Sequence, residues 1–325
     1  MEARNRQSCR LGVIIVNYRT PALTERCIDA LAPMLPGADA VALVVDNASQ
    51  DGSFERLTTY CAENAADDRL KVIASETNGG FSAGNNIGMS ALRSDYVLLL
   101  NSDAVPQPGA LEELLNAADA DPAAGIITPR LITSGGEEQV SRFRNHSPLS
   151  EFVDGAQSGP VTRLLKKSET PIFPDDWSTP PDWVSFAAVL LRRSAIEKTG
   201  LMDEGFFLYY EDCDYCRRVR REGFSIGYAQ KAVFVHDPGG STKLRASENA
   251  LARLPSYYYA SRSRYFRKYY GPLGPLLANI AWLSGRALAK LRGSFGRPAP
   301  AICAGRAHDV WIGWRSGLGS PHSKT

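Results

Sequence analysis

The chain has 325 residues, enough for one large domain or two smaller ones around a sizeable core. Its formal charge of +2, with 37 Lys and Arg against 35 Asp and Glu, is close to balance and argues against a nucleic-acid binder that works by bulk electrostatics. The six cysteines, Cys9, Cys27, Cys61, Cys213, Cys216 and Cys303, are too scattered for the disulfide framework of a small secreted domain, which points to a reducing cytoplasm.

The first ten residues are polar and basic and run into a strand-like segment, which predicts no signal peptide. Gly12 to Val16 is a short β-branched strand closed by Asn17-Tyr18, and Pro21 to Leu35 reads as a helix. Val41 to Val45 repeats the strand signature and stops at Asp46-Asn47; the turn Asp51-Gly52-Ser53 leads into a helix ending near Glu63. Leu70 to Ala74, Ser82 to Leu92 and Tyr96 to Leu100 then read as strand, helix and strand. Strands too apolar to face water, alternating with helices, imply an α/β fold with a mostly parallel sheet covered on both sides.

From Thr133 to Pro181 the sequence is rich in Ser, Gly, Pro and charge and has little periodicity apart from Val161 to Lys167, so it reads as a long loop with a use, such as a lid or an acceptor-facing segment. Trp183 to Leu191 reads as a strand, Glu211 to Glu222 as a helix with an acidic start and a basic end, and Ser225 to Val235 as another strand. Ser247 to Tyr270 reads as a helix carrying Tyr257-Tyr258-Tyr259 and several arginines. Leu273, Leu276, Leu277, Ile280, Leu288 and Leu291 fall near one helical face beside Trp282, Arg286, Lys290 and Arg292. That amphipathic helix suits either an anionic membrane surface or packing against the main domain. No run of about 18 uninterrupted apolar residues occurs, which predicts no spanning helix.

Five groups of residues could carry chemistry. The apolar run Leu98-Leu99-Leu100 ends in Asn101-Ser102-Asp103, which puts a carboxylate at the carboxyl edge of a sheet, where open α/β folds bind ligands. Asp103 is therefore the leading candidate metal ligand, with Mg²⁺ or Mn²⁺ completed by a nucleotide diphosphate. Asp46 closes a strand at the same edge, where a carboxylate can accept hydrogen bonds from a base or ribose; Asp-Asn-Ala-Ser is also good turn chemistry. The Gly-rich stretch Asn78 to Asn86, with Gly84 and Asn85 within it, enters a helix and offers backbone N–H groups to phosphate or sugar oxygens, though a capped turn explains it equally. Glu211-Asp212 follows the aromatic run Phe206 to Tyr210 and opens a helix; about 100° separates the two side chains on an ideal helix, so one of them faces a ligand. His236 ends a strand and could join a metal shell or simply pack. Cys213 and Cys216 have no second pair and read as helix residues, not zinc ligands. The first strand-helix turn lacks the Gly-x-Gly-x-x-Gly fingerprint, which disfavours a dinucleotide-dependent oxidoreductase.

Taken in order, Val13 to Tyr18, Val44 to Ser49, Asn78 to Phe81 through Asn85-Asn86, Leu99 to Asp103 and Phe207 to Asp214 resemble family 2 glycosyltransferases, and within them most of all the rhamnosyltransferases of bacterial cell-wall and surface-polysaccharide assembly. The resemblance covers about residues 10 to 270. It implies a GT-A fold, a mostly parallel central sheet flanked by helices with a C-terminal helical extension. It divides the chain into residues 10–245, with a nucleotide-sugar-binding half (10–130) and an acceptor-binding and catalytic half (131–245), and a helical extension (246–325) that is a candidate for membrane contact. It makes Asn17, Tyr18, Asp46, Asn78, Gly84, Asn85, Asn101, Ser102 and Asp103 nucleotide-sugar contacts, Asp103 and His236 ligands of Mg²⁺ or Mn²⁺, Asp212 (beside Glu211) the general base and Trp183 an acceptor contact, although core packing suits Trp183 nearly as well. The family usually places a small residue where this chain has Phe186. The implied activity is inverting transfer of a sugar, L-rhamnose from dTDP-rhamnose, to a lipid-linked or polysaccharide hydroxyl in the cytoplasm at the inner face of the plasma membrane, with no nucleic-acid partner. The open alternatives are a UDP-hexose donor and a non-catalytic nucleotide-sugar-binding protein.

Overall fold

The structure, a computed structural model, describes residues 9–64, 68–176, 178–237, 248, 250–296 and 298–318. Its strands are β1 (Cys9–Asn17), β2 (Ala40–Asp46), β3 (Leu70–Ala74), β4 (Ser94–Asn101), β5 (Ala104–Pro106), β6 (Ala124–Ile132), β7 (Arg142–Phe143), β8 (Pro171–Ile172), β9 (Trp183–Val184), β10 (Ala188–Arg192) and β11 (Ser225–His236). Its helices are α1 (Pro21–Leu31), α2 (Ser53–Asn64), α3 (Gly80–Ala91), α4 (Ala110–Ala120), α5 (Pro148–Ala156), α6 (Gly159–Leu164), α7 (Arg193–Thr199), α8 (Glu211–Arg221), α9 (Ser256–Tyr270), α10 (Gly274–Gly293) and α11 (Arg306–Asp309).

The chain folds into two compact units. The first is drawn from Met1–Ser141, Val184–Glu204 and Tyr215–Ser241. It holds an eight-stranded sheet in the order β3-β2-β1-β4-β10-β6-β11-β5. Strands β1 to β4 are mutually parallel where they pair, as their unbroken apolar runs require; β10 lies antiparallel to both β4 and β6, while β11 is parallel to β6 and antiparallel to β5. Leu11, Val13, Ile15, Val44, Leu98 and Leu100 are buried in the core with the apolar faces of α1, α2 and α4. Helix α3 comes close to β1: a Cβ at Gly88 would lie 2.5 Å from Ile14 Cγ2 and one at Gly84 2.9 Å from Val16 Cγ1.

The second unit is drawn from Arg142–Trp183, Gly205–Asp214 and Thr242–Thr325. A small sheet in the order β8-β7-β9 accompanies α5, α9 and α10. Helices α5 and α10 cross with their backbones almost touching, since a Cβ on Gly155 would lie 2.3 Å from Trp282 O and one on Gly285 2.3 Å from Phe152 O.

The structure revises several expectations. The stretch 133–181 is not one long loop: it contains β7, β8, α5 and α6, and α5 is started by a capping box between Ser147 and Ser150 with Pro148 at its first turn. The expected strand from Trp183 to Leu191 is two strands separated at Ser185–Ala187, because Ala187 N turns to donate to Ser185 Oγ at 3.3 Å. Helix α9 begins after Pro255, which caps it in extended backbone at φ −60° and ψ 148°; the expected start at Ser247, and the division at 245/246, lie outside the described residues, as do residues 1–8 of the polar start. The segment 104–132, left unassigned by periodicity, supplies β5, α4 and β6. Among the described residues no helix is long and apolar enough to cross a membrane.

Candidate active site

In the first unit the strand ends bring the polar residues together. Parallel register sets Asn17 beside Asp46, and Val16 beside Asn101. Asn17, fully buried, donates from Nδ2 to Asp46 Oδ2 at 2.8 Å and to Ser49 Oγ at 3.2 Å, while its Oδ1 accepts from Thr24 Oγ1 at 3.0 Å. Asp46 Oδ1 accepts from Ser49 N at 3.0 Å, an Asx turn, so the carboxylate is oriented by the protein itself, with a lone pair remaining on each oxygen. Tyr18 is 40% exposed and has the Arg19 guanidinium 5.2 Å from its ring centroid.

The glycine-rich turn is tied to the end of β2 by Asn47. Its Nδ2 donates to Asn78 Oδ1 and to Gly80 O, both at 3.0 Å, and Asn78 Oδ1 also accepts from Gly80 N. Gly80 has φ +83°, which only glycine adopts at no cost. Gly84 serves the close approach of α3 to β1, Asn85 donates back to Phe81 O at 3.0 Å, and Asn86 exchanges hydrogen bonds with both N and O of Met202 at 2.9 Å. Asn47 and Asn86 carry structural work that no local pattern distinguishes from that of their neighbours.

Asp103 follows β4, just before β5. Antiparallel pairing of β5 with β11 sets Ala104 against His236, which carries the imidazole to the carboxylate: His236 Nε2 lies 3.7 Å from Asp103 Oδ1. Ser102 Oγ is 3.4 Å from Thr20 Oγ1, and Asn101 N donates to Ala187 O at 2.8 Å. Gln139 was not legible as a site residue. Its Nε2 donates to His236 O, and its Oε1 is 3.1 Å from His236 Nδ1. An oxygen there accepts the Nδ1 proton, and in the neutral ring that is the tautomer of a metal ligand bound through Nε2. Among the described residues no three His, Cys, Asp or Glu side chains gather at one point. One carboxylate and one imidazole are nevertheless the donor set expected of a cation that takes its other ligands from a diphosphate and water.

In the second unit, Glu211 and Asp212 open α8. The two residues before them, Tyr209 and Tyr210, have φ +69° and +68°, a left-handed pair that costs tyrosine roughly 1–2 kcal/mol per residue. Helix α9 holds this turn in place. Ser261 Oγ donates to Leu208 O at 3.0 Å, the Tyr210 ring packs on Tyr258 and Tyr265 at 5.8 and 5.6 Å, and Tyr209 packs on Tyr258 at 5.7 Å. His146 adds a ring 4.9 Å from Tyr210, and burial holds its pKa down to about 4, so it is neutral.

Burial raises the pKa of both acids. Asp212 is pushed up to about 6, against the lowering effect of the Cys213 N–H that its Oδ1 accepts at 2.8 Å. Glu211 is raised well above the carboxylate range, first by burial and then by the Asp212 charge, and among the described residues its Oε2 has no hydrogen-bond partner. Two adjacent acids pushed to different degrees are the arrangement from which an acid-base assignment follows. Asp214 is pinned structurally, by Lys268 Nζ at 2.6 Å and Tyr269 OH at 2.7 Å. Trp183 stacks on Phe143 at 4.1 Å and donates from Nε1 to Arg144 O at 2.9 Å, leaving it almost fully buried. Phe186, in the first unit, is core, edge-on to Tyr215 at 6.1 Å. Cys213 and Cys216 are buried residues of α8.

The mixed α/β sheet, with acids and asparagines at the carboxyl ends of its parallel strands, is a GT-A-type fold. The chain belongs to Glycosyl transferase family 2, whose sequence model matches residues 12–200. It is 29% identical over 258 residues to the low-salt glycan biosynthesis hexosyltransferase Agl10 of Haloferax volcanii, covering 78% of this chain and 76% of that one. It is 24% identical over 282 residues to an N-acetylglucosaminyl-diphospho-decaprenol L-rhamnosyltransferase of Mycobacterium tuberculosis, covering 81% and 87%. Its fold matches that of a Pyrobaculum calidifontis mannosyltransferase solved with GDP-mannose and Mn²⁺, with TM-score 0.55 and 16% identity over 95% of this chain and 83% of the other.

Proposed function

We propose that this family 2 glycosyltransferase is an inverting, metal-dependent enzyme that moves L-rhamnose from dTDP-rhamnose to a hydroxyl of a lipid-linked or polysaccharide acceptor in cell-envelope glycan synthesis. The observation that carries the donor half is the meeting of Asp103 with His236, whose tautomer is set by Gln139. Asp103 and His236 would hold a divalent cation, which when bound neutralises charge on the departing nucleoside diphosphate. Asn17 and Ser49 fix the Asp46 carboxylate toward the base or ribose.

Asp212, with its pKa near 6, is ionised at neutral pH and takes the proton of the acceptor hydroxyl. The oxygen forms a bond to the anomeric carbon as the bond from that carbon to the diphosphate breaks, the electron pair leaving on the diphosphate oxygen. One displacement inverts the centre. Support for rhamnose comes from the Mycobacterium tuberculosis relative, named an L-rhamnosyltransferase; the Haloferax volcanii relative, named a hexosyltransferase, supports a UDP-hexose donor as the second reading. The decaprenol-linked acceptor in the mycobacterial relative's name supports action at a membrane, which we propose is the inner face of the plasma membrane.

The test is isothermal titration of dTDP-rhamnose, UDP-glucose, UDP-galactose and GDP-mannose, with Mn²⁺ and with EDTA, into wild type and Asp103→Ala. Metal-dependent binding of dTDP-rhamnose alone, lost in the variant, is the expected result. Preference for a UDP-hexose replaces the donor, and binding of none by folded protein overturns the assignment.

A further inference from the structure

Helix α10 is amphipathic in the reverse sense to a helix that packs its aliphatic face inward. The face turned into its unit carries Ala278, Asn279, Trp282, Gly285, Arg286 and Ala289, which seat against α5 across the Gly155–Gly285 crossing. The opposite face carries Leu273, Leu277, Ile280, Ser284, Ala287 and Leu291, each three or four residues from the last, and every one of them is exposed. Leu273 is 64% exposed and Leu291 59%, and the turn beyond ends in Phe295 at 80%. Sequence periodicity found the stripe but not the direction in which it points.

Charge identifies what the stripe faces. Gly274 to Gly296 contains no acidic residue, and neither does Gly159 to Ser168. The second segment is α6 with the turn after it, joined to the last turns of α10 by Gln157, whose carbonyl accepts from Arg292 and whose side chain accepts from Arg286. There Leu164 is 84% exposed, between exposed Arg163, Lys166 and Lys167, while Lys290 is exposed beside Leu291. Exposed aliphatic side chains set among cations, with no acid within these two segments, complement an apolar layer capped by anionic headgroups. A second copy of the same face would set cation against cation.

We infer that the outer face of α10, together with the Arg163–Lys167 turn, docks this chain on an anionic lipid surface. This goes beyond the transfer chemistry and gives the proposed site of action a physical surface. Its test needs no donor or acceptor, so it stands or falls apart from the transferase assignment. Co-sedimentation of full-length protein with phosphatidylglycerol-containing vesicles and with pure phosphatidylcholine vesicles is expected to show binding to the first only, weakened by salt. Lys166→Gln/Lys167→Gln should reduce it by about 30-fold, from about 1 kcal/mol for each lysine charge lost. Leu277→Ser/Ile280→Ser should reduce it by at least about tenfold with the thermal melt unchanged. Binding to neither vesicle, or binding that neither variant alters, overturns the inference. So does a dimer of the wild type that Leu277→Ser/Ile280→Ser dissociates, which would assign the stripe to a second copy; if that variant does not fold, the exposed lysine pair decides alone.

Discussion

His236 Nε2 and Asp103 Oδ1 stand 3.7 Å apart, brought together by the pairing of β11 with the three-residue strand β5. Gln139 fixes the imidazole from behind, so its loss should act on the proposed metal site and leave the sheet intact. Gln139→Leu is expected to weaken Mn²⁺-dependent donor binding by about 10-fold and to leave binding in EDTA unchanged, as measured by titration calorimetry. An equal loss with and without metal would show that Gln139 only supports the fold.

The contrast between Asp103 and Gln139 shows what a sequence discloses. Strands β1 to β4 announce themselves by short apolar runs, and β1, β2 and β4 end in Asn17, Asp46 and Asn101, so the edge that holds Asn17, Asp46 and Asp103 is legible from local pattern. The insertion of β10 antiparallel between β4 and β6, and the pairing of β5 with β11, are long-range events that leave no period in the chain. Gln139 belongs to that second kind. So does the clasp of Ser261 and Tyr258 on the turn before Glu211, since nothing in Tyr257-Tyr258-Tyr259 says which ring meets Tyr210. Helix α5 had a readable start at Ser147-Pro148, but its nine residues are too few for periodicity to stand out from the loops around it.

The left-handed conformation of Tyr210 gives a second test. Tyr210→Ala and Tyr210→Gly lose the same ring contacts, so their difference isolates the backbone. At φ +68° the glycine variant should be more stable than the alanine variant by about 1 kcal/mol, the reverse of their order in ordinary helix or strand, measured by urea denaturation. Equal stabilities would mean that the turn relaxes once the ring is gone.

The crossing of α5 and α10 leaves no room for a methyl group. A Cβ at position 155 or 285 would meet backbone 2.3 Å away, and backbone cannot rotate aside as a side chain can. Gly285→Ala should therefore destabilise the protein by about 2–3 kcal/mol, with a correspondingly lower midpoint in urea at unchanged slope. A neutral effect would show that the two helices slide apart without cost.

The two acids at the start of α8 should separate in activity assays. Burial and the Asp212 charge raise Glu211 and favour its protonated form, so Glu211→Gln should retain far more activity than Asp212→Asn. In the wild type, kcat/KM should rise with pH through about 6 as Asp212 ionises. A flat profile between pH 5 and pH 8, in roughly that window, would remove Asp212 from the role of base.

The same shift governs stability, and its sign is opposite to that of a paired surface carboxylate. Asp212 titrates at about 6 in the folded chain against an ordinary value of 3.8, so the folded state favours the protonated form. The stabilisation this confers is complete below the lower value and is lost as pH rises through the upper one. At pH 8 the folded protein therefore carries a buried charge that costs on the order of 1–3 kcal/mol, allowing for partial access of solvent to the carboxylate. Asp212→Asn, neutral at every pH, should then melt several degrees above wild type at about pH 8 and no higher at about pH 3.5, while losing transfer activity at the higher pH. Calorimetric scans at the two pH values decide the matter. An advantage of the same size at both would trace it to packing, and an asparagine variant less stable at the higher pH would mean that the Asp212 charge is stabilised where it sits, against the burial that raises its pKa.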